Sequence, residues 1–151
     1  EHPENYIHLI ALRKGDYVSV HYESTPHVQR AISMIKEKGA RAALAINPST
    51  PIECCRELLD DVEMILIMSV NPGYAGQKIV QSSFDKVKRL REYLDGLGYP
   101  ELIIEVDGNC SFENVPKLYR AGAELFVVGS SSVFDPKYSI VEAIRKLKNN
   151  L

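Results

Sequence analysis

The chain has 151 residues, 45% of them hydrophobic and 25% charged, with a formal net charge of −2. Those proportions exclude a disordered chain, the charge leaves no basic footprint for nucleic acid, and no apolar run reaches the ~18 residues of a membrane span. Three Cys, with Cys54 and Cys55 adjacent, exclude a disulfide scaffold and point to reduced thiols and a cytoplasmic setting.

The length fits one domain over residues 1–151. The chain opens Glu1-His2-Pro3-Glu4, with neither Met nor a charged-then-apolar leader. That opening suggests a processed N-terminus or a part of a longer protein.

Strands and helices alternate along the whole sequence. The patterns predict a helix at 3–13, a strand at 17–22, a helix at 26–38 and a strand at 41–46. They continue with a helix at 51–59, a strand at 63–70, a helix at 81–96 and a strand at 101–106. A helix at 112–121, a strand at 125–129 and a helix at 136–149 complete the chain. The strands are near-continuous apolar runs, such as Arg41–Ile46, which suits a parallel sheet buried on both faces. Val28, Ala31, Ile32 and Ile35 share one helix face, as do Phe84, Val87, Leu90 and Leu94, and Ile140, Val141, Ile144 and Leu147. Gly15, Gly39 and Gly122 each read as a helix end in the left-handed conformation. Thr50-Pro51-Ile52-Glu53 reads as a capping box, Asp135-Pro136 as the opening of the last helix, and Ser111 as a helix cap.

Alternating parallel strands and helices leave two architectures, an open doubly wound sheet or a closed eight-unit barrel. A complete barrel usually needs ~250 residues. Periodicity does not choose between the two.

In both, ligands bind at the carboxyl ends of the strands. Those ends here are His21-Tyr22-Glu23, Asn47-Pro48-Ser49, Asn71 to Gln77, Asp107-Gly108-Asn109-Cys110 and Gly129 to Ser132. The Gly73–Gly76 and Gly129–Ser131 stretches open toward helices, where backbone N–H groups can cradle an anion. Tight turns are the structural alternative. Asp107 closes the apolar run Ile103-Ile104-Glu105-Val106, where a carboxylate must be paired, bind a metal or do proton chemistry. Glu105 points the same way and lies deeper. His21 could be a ligand, a substrate contact or a buried imidazole; His2, His8 and His27 fall away from the rim. Cys54-Cys55 lacks zinc spacing, and nothing marks Cys110 as a nucleophile.

Met68-Ser69-Val70-Asn71-Pro72-Gly73-Tyr74-Ala75-Gly76-Gln77 resembles the signature of the ribulose-phosphate 3-epimerase family. Glu105-Val106-Asp107-Gly108 and Gly129-Ser130-Ser131 match it in order and spacing, and His21-x-Glu23 and Leu44 to Pro48 also resemble it. The resemblance covers essentially the whole chain. It implies an α/β fold, a (β/α)₈ TIM barrel, with this chain beginning inside the helix after strand three and keeping strands four to eight with their flanking helices.

The implied reaction is epimerisation at C3 of a ketose phosphate through a cis-enediolate. Two carboxylates act as acid and base, and one divalent metal ion assists: zinc, iron, manganese, cobalt or magnesium. The resemblance places Asp107 as one of the two carboxylates and as a metal ligand. The family's other ligands, two His and an Asp, come from strands two and three and are absent here; His2 is not a replacement for either His. Substrate and phosphate contacts fall on Gly73, Tyr74, Ala75, Gly76, Gly108, Asn109, Gly129 and Ser130. Ala75 and Asn109 replace the usual glycines, which leans toward the allulose-6-phosphate 3-epimerase branch.

The implied partner is a small sugar phosphate, with no nucleic acid and no membrane, in a protein that forms a homo-oligomer at full length. The chain alone is expected to be inactive. Two other readings stand beside this one: a non-catalytic phosphate-binding or interaction module from the same barrel, and another phosphate-using barrel enzyme of the tryptophan-pathway type.

Overall fold

A computed structural model describes residues 1–151. Five parallel strands form one sheet: β1 (Tyr17–His21), β2 (Arg41–Ile46), β3 (Met64–Met68), β4 (Ile103–Asp107) and β5 (Leu125–Val127). Their order across the sheet is their order in sequence, β1-β2-β3-β4-β5. A doubly wound sheet reverses its winding at a switch point. Here every crossover runs the same way, as in the winding of a (β/α)₈ barrel.

One-way winding puts all the helices on one face. Val20, Ala42, Leu44, Ile46, Ile65, Ile67, Ile104 and Val106 form a single buried cluster with residues from all four α-helices. From α1 (Val28–Glu37) come Ala31, Ile32 and Ile35; from α2 (Ser82–Leu97), Val87, Leu90 and Leu94. From α3 (Asn114–Arg120) come Val115 and Leu118; from α4 (Ile140–Asn149), Ala143 and Leu147. Burial of one Leu or Ile side chain contributes about 1.5–3 kcal/mol, so this face dominates stability. On the second face only Ala45, Leu66 and Met68 form a buried cluster. Leu125 and Val127 on that face remain 45% and 43% exposed.

Several expectations are corrected. The segment at 3–13 is not a helix: it makes two short 3-10 turns, Pro3–Asn5 and Ile7–Leu9, and buries only Ile7. Lys38 Nζ takes the carbonyls of His8 (3.0 Å) and Ile10 (2.8 Å), and the His2 amide donates to Ser24 O (2.8 Å). These tertiary bonds hold the segment in an irregular path. Gly15 therefore has positive φ in a turn that follows no helix, whereas Gly39 and Gly122 do sit at helix ends.

The segment predicted as a helix at 51–59 is a run of 3-10 turns, Ile52–Asp61. Thr50 does not cap it, because its hydroxyl donates to Glu23 instead. The last helix starts at 140, not 136. Asp135 Oδ1 accepts the Lys137 amide (3.0 Å) in a local turn, and Ser139 with Glu142 makes the capping box. Ser139-x-x-Glu142 was legible in the sequence as that signal. Ser111 lies three residues before α3 and not at its cap position, which is Glu113 and makes no side-chain cap bond, but its hydroxyl accepts the Asn114 amide at 3.1 Å.

The apolar face assigned to the last helix is also corrected. Ile140, Val141 and Ile144 are 54%, 66% and 40% exposed, and α4 packs through Ala143 and Leu147. No helix is long and apolar enough to cross a membrane, and Cys54, Cys55 and Cys110 are free.

Candidate functional site

Register fixes which side chains share the second face. One row across it reads His21, Ala45, Leu66, Glu105 and Leu125. The next row toward the carboxyl ends holds Met68, Asp107 and Val127. A cavity of about 620 Å³ opens beyond that row. Its lining includes Asp107, Gly108 and Asn109 after β4, Asn71 to Gln77 after β3, and Gly129, Ser130 and Ser131 after β5. The strand-end residues after β3, β4 and β5 named from the sequence, Gly73 to Gly76, Asp107 to Asn109, Gly129 and Ser130, therefore share one cavity, whereas those after β1 and β2, His21 to Glu23 and Asn47 to Ser49, lie outside its lining.

The floor is built by close packing. The Ser69 hydroxyl donates to Asp107 O (3.0 Å) and to Gly108 O, and its amide donates to Asp107 O (2.7 Å). Gly108 has φ +118°, and a Cβ there would lie 2.6 Å from Val70 Cγ2 and 2.9 Å from Val70 N. Only Gly allows β3 and β4 to meet this closely while the chain turns into the left-handed region.

Burial raises the Asp107 carboxyl above its ordinary value, partly offset by the Gly108 amide and by the charge of His21. Glu105 is raised as well, first by burial and then by repulsion from Asp107. Of the two, Asp107 lines the cavity and Glu105 does not, which makes Asp107 the candidate for proton transfer there. Burial pushes the Cys110 thiol up to about 12, so it is no nucleophile at neutral pH.

The amides of Gly129, Ser130 and Ser131 donate to no other backbone group, nor do those from Gly73 to Gln77. Gly129 O accepts the amides of Ser132 (3.0 Å) and Phe134 (3.1 Å), which curls the loop after β5. Both loops offer N–H groups to an anion. The Asn109 side chain, by contrast, bonds within the protein: Nδ2 donates to Gln77 O (2.7 Å), and Oδ1 accepts from Asn114 (2.8 Å).

Lys86, which carried no weight in the sequence, shapes the rim after β2. Buried Lys86 donates to the carbonyls of Asn47 (2.6 Å), Pro48 (3.3 Å) and Thr50 (2.6 Å). Burial raises the Glu23 carboxyl, but bonds from Thr50 and the Asn47 amide win and hold it below its ordinary value. A Lys on an otherwise buried stretch of α2 was the available signal.

No group of three His, Cys, Asp or Glu side chains is placed to hold a metal ion. Asp107 is one carboxylate donor; a hard divalent cation takes six or more oxygen ligands, and zinc takes four ligands. The residues present do not make a metal site by themselves.

Residues 1–134 match the Ribulose-phosphate 3 epimerase family. The chain is 41% identical over 131 residues to a ribulose-phosphate 3-epimerase of Bacillus subtilis (strain 168), covering 87% of the chain and 60% of that protein. It is 38% identical over 149 residues to the Aquifex aeolicus (strain VF5) protein of the same name, covering 99% and 66%. The Escherichia coli (strain K12) protein of that name is 37% identical over 124 residues, covering 82% and 55%. The chain thus spans less than two thirds of the length of these curated relatives.

Proposed function

The chain belongs to the ribulose-phosphate 3-epimerase family, and we propose that its cavity serves epimerisation at C3 of a ketose phosphate. The observation that carries this reading is the meeting of Asp107 with two loops of free amides on one cavity. An anionic phosphate held by amides at one end positions the sugar's C3 near a carboxylate at the other.

In this reading the Asp107 carboxylate takes the C3 proton. The C–H electron pair moves toward the C2 carbonyl, giving a cis-enediolate. A second acid returns a proton to the opposite face of C3, which inverts the centre. The raised pKa of Asp107 suits it as a base, since its conjugate acid is closer to the operating pH. The amides of Gly73, Tyr74, Ala75 and Gly76 form one side of the phosphate cradle, with Gly108 and Asn109 beside them and Gly129 and Ser130 opposite.

The family resemblance adds a divalent metal with Asp107 among its ligands. Residues 1–151 supply that one carboxylate and not the rest of a set, so no step is routed through a metal. For the same reason, residues 1–151 alone are expected to show negligible turnover. The sheet corresponds in this reading to strands four to eight of the barrel. The relatives' names favour a ribulose phosphate as substrate, while Ala75 and Asn109 favour allulose 6-phosphate.

The deciding experiment measures kcat on both sugar phosphates with the full-length enzyme and its Asp107→Asn variant, beside each melting temperature. Loss of kcat by several orders of magnitude with the melting temperature kept or raised is expected, since Asn removes a buried charge without changing shape. Retained kcat would overturn the assignment of the base. Turnover by wild-type residues 1–151 close to that of the full-length enzyme would overturn the incomplete-site reading.

A further inference from the structure

The loop after β3 has no regular structure, and its amides from Gly73 to Gln77 give it no backbone bonds. Side chains hold it instead. Gln77 Nε2 donates to Asn71 O (2.5 Å) and to Tyr74 O (3.0 Å), drawing both ends of the loop together. Gln77 in turn is held from the loop after β4, where Asn109 Nδ2 donates to Gln77 O at 2.7 Å.

The orientation of that amide is forced. A carbonyl can only accept, so the nitrogen of Asn109 must face Gln77. Its oxygen then faces Asn114 Nδ2 at 2.8 Å, which also donates to Asn109 O at 3.1 Å. Asn114 is the first residue of α3, and its amide donates to the Ser111 hydroxyl at 3.1 Å. The residue at 109 has φ +48°, a left-handed conformation that Asn tolerates better than other side chains. A relay therefore runs from the start of α3, through Asn109, to the glycine loop.

We infer that Asn109 is a positioning residue, latching the loop after β4 to the loop after β3 through its side-chain amide, with Asn114 setting its orientation. This rests on the reading of the glycine loop as a phosphate cradle and extends it. Asn109 reaches a ligand only with its backbone; its side chain fixes the shape of the cradle. A Gly at the same position would keep the backbone and lose the latch.

The test uses the full chain with Asn109→Gly and Asn114→Ala, since Asn114 does not line the cavity. ¹⁵N relaxation gives order parameters for residues 73–77, calorimetry gives the affinity for inorganic phosphate, and melting confirms folding. Both variants are expected to lower the order parameters toward the flexible range below ~0.6. Each should weaken phosphate binding by roughly three- to tenfold, the worth of one lost hydrogen bond.

Unchanged order parameters in Asn109→Gly would overturn the latch. So would a silent Asn114→Ala beside a damaging Asn109→Gly, which would make Asn109 a direct ligand. If wild-type protein binds no inorganic phosphate, the cradle reading fails, and the order parameters still decide the latch.

Discussion

Gly108→Ala tests how tightly the floor of the cavity is built. A Cβ at this position comes 2.6 Å from Val70 Cγ2, 2.9 Å from the Val70 amide nitrogen and 3.0 Å from Ser69 Oγ. Carbon atoms in ordinary contact sit at least ~3.5 Å apart, so something must move by about 0.9 Å. The Val70 methyl alone cannot absorb this, because the second contact is with backbone. The strands cannot simply part, because Ser69 ties them through Asp107 O and Gly108 O. Alanine at φ +118° adds backbone strain of ~1–3 kcal/mol. Overpacking adds ~1–3 kcal/mol, so the total loss is expected near 3–5 kcal/mol.

For a chain of this size about 2–4 °C of melting temperature follows each kcal/mol, so a fall of roughly 10 °C is expected. Urea unfolding at constant m-value gives the free energy directly. Gly129→Ala is the matched control: it has no atom within 4 Å of its Cβ and no positive φ, and should stay within ~0.5 kcal/mol of wild type. A loss below ~1 kcal/mol in Gly108→Ala would refute the close-packing argument.

Glu23 has a folded pKa below its ordinary 4.5, so its contribution to stability is present above that value and lost as pH falls through the folded pKa. Glu23→Gln should therefore flatten the acid limb of the stability profile, and an identical acid limb in both proteins would count against the Glu23–Thr50–Asn47 contacts. Lys86→Met removes the donor shared by three part-buried loop carbonyls and should cost about 1–3 kcal/mol in urea unfolding. A variant as stable as wild type would show that the cost of burying the ammonium cancels those bonds. The free edges of β1 and β5, with Leu125 and Val127 open beside them, should make residues 1–151 associate as concentration rises in sedimentation. A monomer at every concentration would argue otherwise.

The sequence by itself determined the five strands, because an apolar run such as Ala42–Ile46 is stable only where water is excluded, and all five of those residues are buried. It also determined the rim residues. Glycines, an Asp and a serine at strand ends must meet wherever parallel strands share a direction, and Gly73, Asp107 and Gly129 do line one cavity. What periodicity left open, tertiary structure decided. Strand order depends on which strand pairs with which, a long-range matter no local pattern encodes, and sequential pairing gave the barrel-like winding. The ends of elements followed the same rule. Thr50 left its cap for Glu23, Lys38 drew the carbonyls of His8 and Ile10 out of a helical path, and the face of α4 turned toward Ala143 and Leu147. For Thr50 and for the His8–Ile10 segment a bond to a residue distant in sequence outcompeted a local preference worth about 1 kcal/mol, while for α4 the packing of Ala143 and Leu147 set the face. The relay from Asn114 through Asn109 to Gln77 belongs to this second group, since its members become neighbours only when β3 and β4 lie side by side.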